Sequence, residues 1–276
     1  METLKILLVT MLPLLAGACR SIECQEKPDP PSPEPLPVVT QDSTLWRSVL
    51  RFEGPFPVTR TDIFIYRQDG LKDMTDYLRT EGATAELCLR DSLPKTIAVA
   101  ANARGTFNTA GLKHFDSLGG IVCRLADEDP AAPLMSGIFS FIPGRDTVYS
   151  LTPLLCTVEL ISVTNHFDGD VLAENPRVWL ENVNSQAALF KEQGFTVVDP
   201  FNSKRVRLPC DIGLYTQYPG IKLYCYPNDL PNPTTGNPAT EFVLQCEIAG
   251  ETRTYRRTLH PLFRGETVLL DVEIHP

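Results

Sequence analysis

Little in this 276-residue chain is basic, and none of its basic residues are arranged to hold phosphate. The net charge is −9, and the short groups Lys204-Arg205-x-Arg207 and Arg256-Arg257 are diluted by acids. They read as solvated faces, and a nucleic-acid partner, which needs clustered Lys and Arg, is excluded. Fixed-period repeats are absent, so the chain is no solenoid. Its eight cysteines (19, 24, 88, 123, 156, 210, 225 and 246) include no CxxC, which removes zinc-ribbon and thioredoxin readings. There is no G-x-S-x-G, P-loop or Rossmann glycine pattern. His114, His166, His260 and His275 show no metal-ligand spacing. NHFDGD (165–170) lacks the further ligands of a calcium loop and reads as a polar turn. Nothing selects a carboxylate pair for glycoside chemistry. The expectation is a protein that is not an enzyme, with no catalytic residue, no cofactor and no metal.

Long apolar runs are missing as well. The longest, LKILLVTMLPLLAGA (4–18), is too short to span a bilayer comfortably and suits the core of a secretory signal. Small residues Ala16, Gly17 and Ala18 precede Cys19, as in a bacterial lipobox. Residues 1–18 are therefore expected to be a lipoprotein signal peptide, with Cys19 lipidated (palmitate among its acyl chains) as the mature N-terminus. Each buried CH₂ of such chains contributes about 0.8 kcal/mol of membrane anchoring. Within the following stretch, 19–44, EKPDPPSPEPLP (26–37) has proline at nearly every second position. That favours an extended polyproline II tether rising about 3.1 Å per residue. Signal, lipid cysteine and tether together place the protein at the cell envelope.

What remains is rich in short strands. LWRSVLRFEG (45–54), DIFIY (62–66), ATAELCLR (83–90) and KTIAVAAN (95–102) come first, with an Asp69-Gly70 turn after DIFIY. Residues 107–127 are the candidate local helix, in two pieces broken at Gly119-Gly120. SGIFSFI, a Pro143-Gly144 turn, TVYSL and LLCTVELISVT then lead to PRVWLENV. GFTVVDPFNSK (194–204) reads as a connection. Beyond it, GIKLYCY, EFVLQCEI, ETRTYRRTL and ETVLLDVEI alternate with period two, so that Leu244, Cys246, Val268, Leu270 and Val272 face a core. Many strands without intervening long helices predict an all-β protein of antiparallel sandwiches, divided at 45–195 and 196–276.

Lipidation of Cys19 leaves an odd number of thiols. Cys225 and Cys246, both core-facing on what read as neighbouring strands, form the best candidate disulfide, with buried free thiols the alternative. Trp46, Trp179, Tyr215, Tyr218, Tyr224 and Tyr226 could offer stacking faces to a glycan.

The order of an Asp-led apolar strand (DIFIY), an apolar strand ending in Ala-Asn (KTIAVAAN), a Met-Ser-Gly strand (135–137) and a Leu-x-Asn-Val strand (180–183) resembles the fimbrillin-like lipoproteins of Bacteroidales. These are anchor, stalk and tip subunits of fimbriae. The resemblance spans roughly residues 60–274 and departs from the family at LTPLLC (151–156), where an Arg is common. It implies two transthyretin-like sandwiches in tandem and partners that are other fimbrial subunits, joined by β-strand addition. It also implies an outer-membrane, surface-exposed lipoprotein. Stalk relatives lose a leader by proteolysis, for which Arg47 and Arg51 would be the cleavage points here. A lipid on Cys19 and a final strand followed only by His275 and Pro276 fit an anchor that fixes the fibre to the cell and limits its length. The competing expectation is a surface glycan-binding lipoprotein.

Overall fold

The computed structural model describes residues 45–197 and 199–276. The expectations for residues 1–44 (signal, lipidated Cys19 and tether) lie outside the described residues. Nineteen strands follow in order. The first nine are β1 (Trp46–Glu53), β2 (Arg60–Arg67), β3 (Met74–Glu81), β4 (Thr84–Leu89), β5 (Lys95–Ala101), β6 (Val122–Arg124), β7 (Met135–Phe141), β8 (Thr147–Ser150) and β9 (Thr152–Pro153). Next come β10 (Cys156–Asn165), β11 (Glu174–Glu181), β12 (Val183–Asn184), β13 (Gln186–Ala188), β14 (Pro200–Phe201) and β15 (Val206–Arg207). The last four are β16 (Tyr215–Cys225), β17 (Glu241–Ile248), β18 (Glu251–Thr258) and β19 (Thr267–Ile274). No helix among the described residues is long and apolar enough to cross a membrane.

A three-stranded sheet, β4-β1-β8, packs against a five-stranded sheet, β3-β2-β5-β7-β9. Leu50, Phe52, Ile63, Ile65, Leu87, Ile97, Val99, Met135 and Phe141 fill the space between them. The alternation in ATAELCLR does what it predicts, since Ala85, Leu87 and Leu89 all reach this core. The near-continuous apolar runs of β2 and β5 have a different cause. Their second face is covered too, by Leu112, Leu118, Leu189, Phe190 and Phe195 packed on Phe64, Tyr66, Ala98 and Ala100. Phe64 meets Phe107 and Phe190 edge to face at 5.2 and 6.0 Å, and Tyr66 meets Phe115 at 5.5 Å. Each such buried side chain contributes about 1.5–3 kcal/mol.

The second sandwich pairs β16-β10-β19 with β15-β11-β17-β18. Val158, Leu160, Val178, Leu180, Leu223, Phe242, Leu244, Cys246, Val268, Leu270 and Ile274 form its core. Strand β10 lies between β16, antiparallel, and β19, parallel, and a bulge between Leu160 and Ser162 shifts both registers together. Past the bulge Val163 resumes the core face opposite Val272, while Ser162, in register with Asp271, donates to its carboxylate at 2.6 Å.

Three sequence expectations are corrected here. A boundary at 195/196 would part β10 and β11 from every strand they pair with, because both belong to the second sandwich. Segment 107–127 is helical only as the 3₁₀ turns Thr109–Gly111, Phe115–Gly120 and Leu125–Asp127, which lay Leu112 and Leu118 on the five-stranded sheet. Cys225 and Cys246 are free and buried in one core, but β16 and β17 belong to opposite sheets. The residue facing Cys225 across the ladder is Cys156, whose thiol donates to the Phe263 carbonyl at 2.9 Å.

Candidate functional site

The motif residues serve as fasteners. Asn102 ends β5 at φ 64°, a left-handed conformation that Asn tolerates. Its side chain accepts from Thr59 N–H at 2.9 Å and donates to the Pro57 and Pro133 carbonyls at 3.0 and 3.1 Å. Asn182, at φ 56°, donates in the same way to Ala239. Asp62 is fully buried, 2.7 Å from Arg79 and 3.4 Å from Arg60, and accepts from the Tyr77 hydroxyl at 2.5 Å. Burial, with Asp62 beside it, pushes the Tyr77 phenol up to about 12. In the Met-Ser-Gly strand, Ser136 donates to the Leu189 carbonyl at 2.6 Å and accepts from Arg264 at 2.9 Å.

Arg264, on the turn before β19, carries this fastening furthest. Its guanidinium also donates to the carbonyls of Leu189 (3.2 Å), Lys191 (2.9 Å) and Thr152 (2.9 Å). One side chain from the second sandwich thereby holds β7, β9 and the 189–191 segment together. Tyr226, at the end of β16, makes a second tie by donating to Glu128 at 3.0 Å, while Leu134 N–H donates to the other carboxylate oxygen at 3.1 Å. Burial raises the Glu128 carboxyl above its ordinary 4.5.

Beside the Arg264 latch the first sandwich is open. Strand β9 covers only Met135 and Ser136, so from Gly137 to Phe141 the outer side of β7 has no strand partner among the described residues. One edge carbonyl, that of Ser140, accepts from the Tyr149 hydroxyl at 2.9 Å. A groove of about 300 Å³ runs along this edge, lined by Ser136–Phe139, Ser150, Thr152, Phe190 and Arg264 among others. The facing edge of the other sheet is β8. Neither β7 (MSGIFSF) nor β8 (TVYS) carries a charge, and Val148 on β8 is 53% exposed. Other edges are guarded: β18 reads ETRTYRRT, β3 carries Asp76, Arg79 and Glu81, and β16 contains Pro219 and Lys222.

The remaining site expectations fall out as follows. Tyr218 and Tyr226 are fully buried, and Trp179 lies under Arg205 with its indole N–H donated to Glu181. Tyr224 is half-buried. Trp46 and Tyr215 keep exposed faces, but they sit on strands of different sandwiches and form no common platform. A cleft of about 510 Å³ spans residues 102–134 and includes Cys123, whose thiol burial pushes up to about 12, leaving it protonated at neutral pH. The 165–170 loop is a polar turn, with Asn165 accepting from Phe167 N–H and donating to the Val171 carbonyl. The histidine spacing missed one juxtaposition, because the parallel pairing of β10 with β19 brings His166 beside His275. The strand MTDYLRTE (β3) was also missed. Its partly buried residues alternate poorly, and only its pairing with β2 identifies it.

No family model matches the sequence, and no curated protein matches it by sequence. Solved structures do match by fold. A protein of Bacteroides eggerthii assigned to cell adhesion superposes with a TM-score of 0.57 at 12% identity, over 83% of this chain and 86% of that one. A fimbrial assembly protein of Parabacteroides distasonis superposes with a TM-score of 0.52 at 12% identity, over 82% of this chain and 90% of that one. The chain has the fold of these Bacteroidales proteins, in line with the resemblance carried by its spaced strand motifs.

Proposed function

We propose that this protein is a lipid-anchored structural subunit of a fimbria-like surface fibre. It takes a partner's strand along β7, fixes the fibre to the outer membrane and limits its length. The observation that carries the reading is the open edge of the first sandwich at β7 and β8, two strands without a charged residue. The outward backbone N–H and C=O groups between Gly137 and Phe141, apart from the Ser140 carbonyl held by Tyr149, would bind an incoming strand by main-chain hydrogen bonds, and the groove beside them would take its side chains. The fold shared with a fimbrial assembly protein supports the same reading. So does the position of Arg47 and Arg51 inside β1, the middle strand of its sheet, paired to β4 on one side and β8 on the other. Cutting there would split that sheet, which suits a subunit that keeps its front end attached to a lipid on Cys19.

Ile138→Lys and Ser140→Pro place a charge and a missing donor on the β7 edge. Envelope pull-downs of these variants should lose the fibre subunits that the wild type retains, with melting unchanged within a few degrees. Deleting the gene should give long or shed fibres, and Cys19→Ala should release the protein from membranes. Retention of partners by both edge variants would refute strand addition at β7. Attached fibres of normal length after deletion would refute the anchoring role.

A further inference from the structure

We propose a divalent transition-metal site, of the zinc class, formed by His166, Glu273 and His275 where β10 and β19 end side by side. The placement follows from the ladder. Asn165 is in register with Ile274, and His166 N–H donates to the Ile274 carbonyl at 2.9 Å, which brings His166 next to His275. Period-two alternation along β19 then puts Glu273 on the same face as His275. The two imidazoles stack with centroids 4.5 Å apart and planes 4° from parallel. Both turn Nε2 toward the same carboxylate oxygen, His166 at 3.6 Å and His275 at 3.4 Å from Glu273 Oε2. All three donor atoms lie within 4.8 Å of one another.

These separations suit a bound cation. Zinc–nitrogen and zinc–carboxylate bonds of about 2.0–2.1 Å at tetrahedral angles put ligand atoms about 3.4 Å apart. Both Glu273 distances already match, and the two rings, now stacked in parallel, would rotate out of the stack so that their Nε2 lone pairs converge on the ion. Two imidazoles and one carboxylate form a three-ligand set, and the exposure of all three side chains leaves the fourth position to water. Glu273 has no Lys or Arg partner among the described residues, so no fixed cation competes for its charge. The histidines are borderline ligands that select zinc, nickel, cobalt or copper over calcium and magnesium. Binding would tie the end of β19 to β10 independently of what happens at the β7 edge.

The test is zinc titration of the full chain by calorimetry, with Cys19, Cys24 and the exposed Cys88 and Cys210 replaced by Ser so that their thiols do not compete. The proposal expects one equivalent bound, with affinity weakened at least about tenfold by each of His166→Gln, Glu273→Gln and His275→Gln. Zinc should raise the melting temperature of the parent but not of the variants, because a ligand stabilises only the state that binds it. Melting in chelator should be alike for all four proteins, since the three side chains are exposed. Cobalt in place of zinc should give ligand-field bands without thiolate charge transfer. Absence of binding to the parent, or equal binding by the three variants, would overturn the site.

Discussion

In the second sandwich the four-stranded sheet ends on β18, where Arg253, Arg256 and Arg257 stand along a strand that, among the described residues, pairs only with β17. Arg256 is held there by Glu181 and Glu241. In the first sandwich, the part of β7 beyond the short β9 presents Gly, Ile, Phe and Ser, and the facing edge β8 presents Thr, Val, Tyr and Ser. Both sandwiches have a continuous buried core. Charge along an edge discourages another chain from pairing, and an edge without it invites pairing. In the proposed function the second sandwich holds the structure and the first receives a partner.

The strongest way to break the contrast is to open the sealed sandwich. Leu270→Asp puts an unpaired charge at a side chain that is 1% exposed and should cost about 3–5 kcal/mol in denaturant unfolding. Trp46 and Trp179, one in each sandwich, can report the two transitions separately in single-tryptophan variants. Next is the seam between them. Arg264→Ala strands the buried carbonyls it serves and should cost about 2–4 kcal/mol, with only partial recovery in Arg264→Lys. Coincident Trp46 and Trp179 transitions in the wild type, separating in Arg264→Ala, would show that this latch joins the two cores.

Exchanging the edge chemistry sharpens the comparison at small thermodynamic cost. Arg253→Thr with Arg257→Thr should change stability by only about 0.5 kcal/mol, yet give concentration-dependent association in sedimentation, because β18 would then resemble β7. The smallest effect concerns the Glu128–Tyr226 tie. Burial raises the Glu128 carboxyl in the folded protein, so its contribution is fully present below the ordinary 4.5 and is lost as pH rises through the folded value. Wild-type stability relative to Glu128→Gln should therefore fall as pH is raised from 4.5 toward neutrality, and a flat difference would show that Glu128 does not couple to folding.

Much of this architecture was legible because period-two alternation reports one-sided burial. Val268, Leu270, Val272 and Ile274 announced their face, and so did Ala85, Leu87 and Leu89. What stayed hidden was partnership. Alternation marks Cys225 and Cys246 as core residues but cannot say that they approach the core from opposite sheets. The boundary at 195/196 failed for the same reason, since local turn signals carry no record of which distant strand β10 joins. The site was half legible. SGIFSF reads as a strand, but its open side depends on β9 stopping after two residues, and His166 meets His275 only through a parallel ladder.

That ladder also sets an order in time. Strand β10 is the middle of its sheet, yet both its neighbours, β16 and β19, are synthesised after it. Until they arrive, CTVELISV has apolar side chains and two unpaired edges, and pairings so distant in sequence close slowly, in milliseconds to seconds. During that interval a second copy of the chain can offer its own β19 to the same slot, so swapped dimers are the expected failure when the protein is made fast or at high concentration. The parallel seat beside β10 is thus where this chain is most exposed to assembling with the wrong copy of itself.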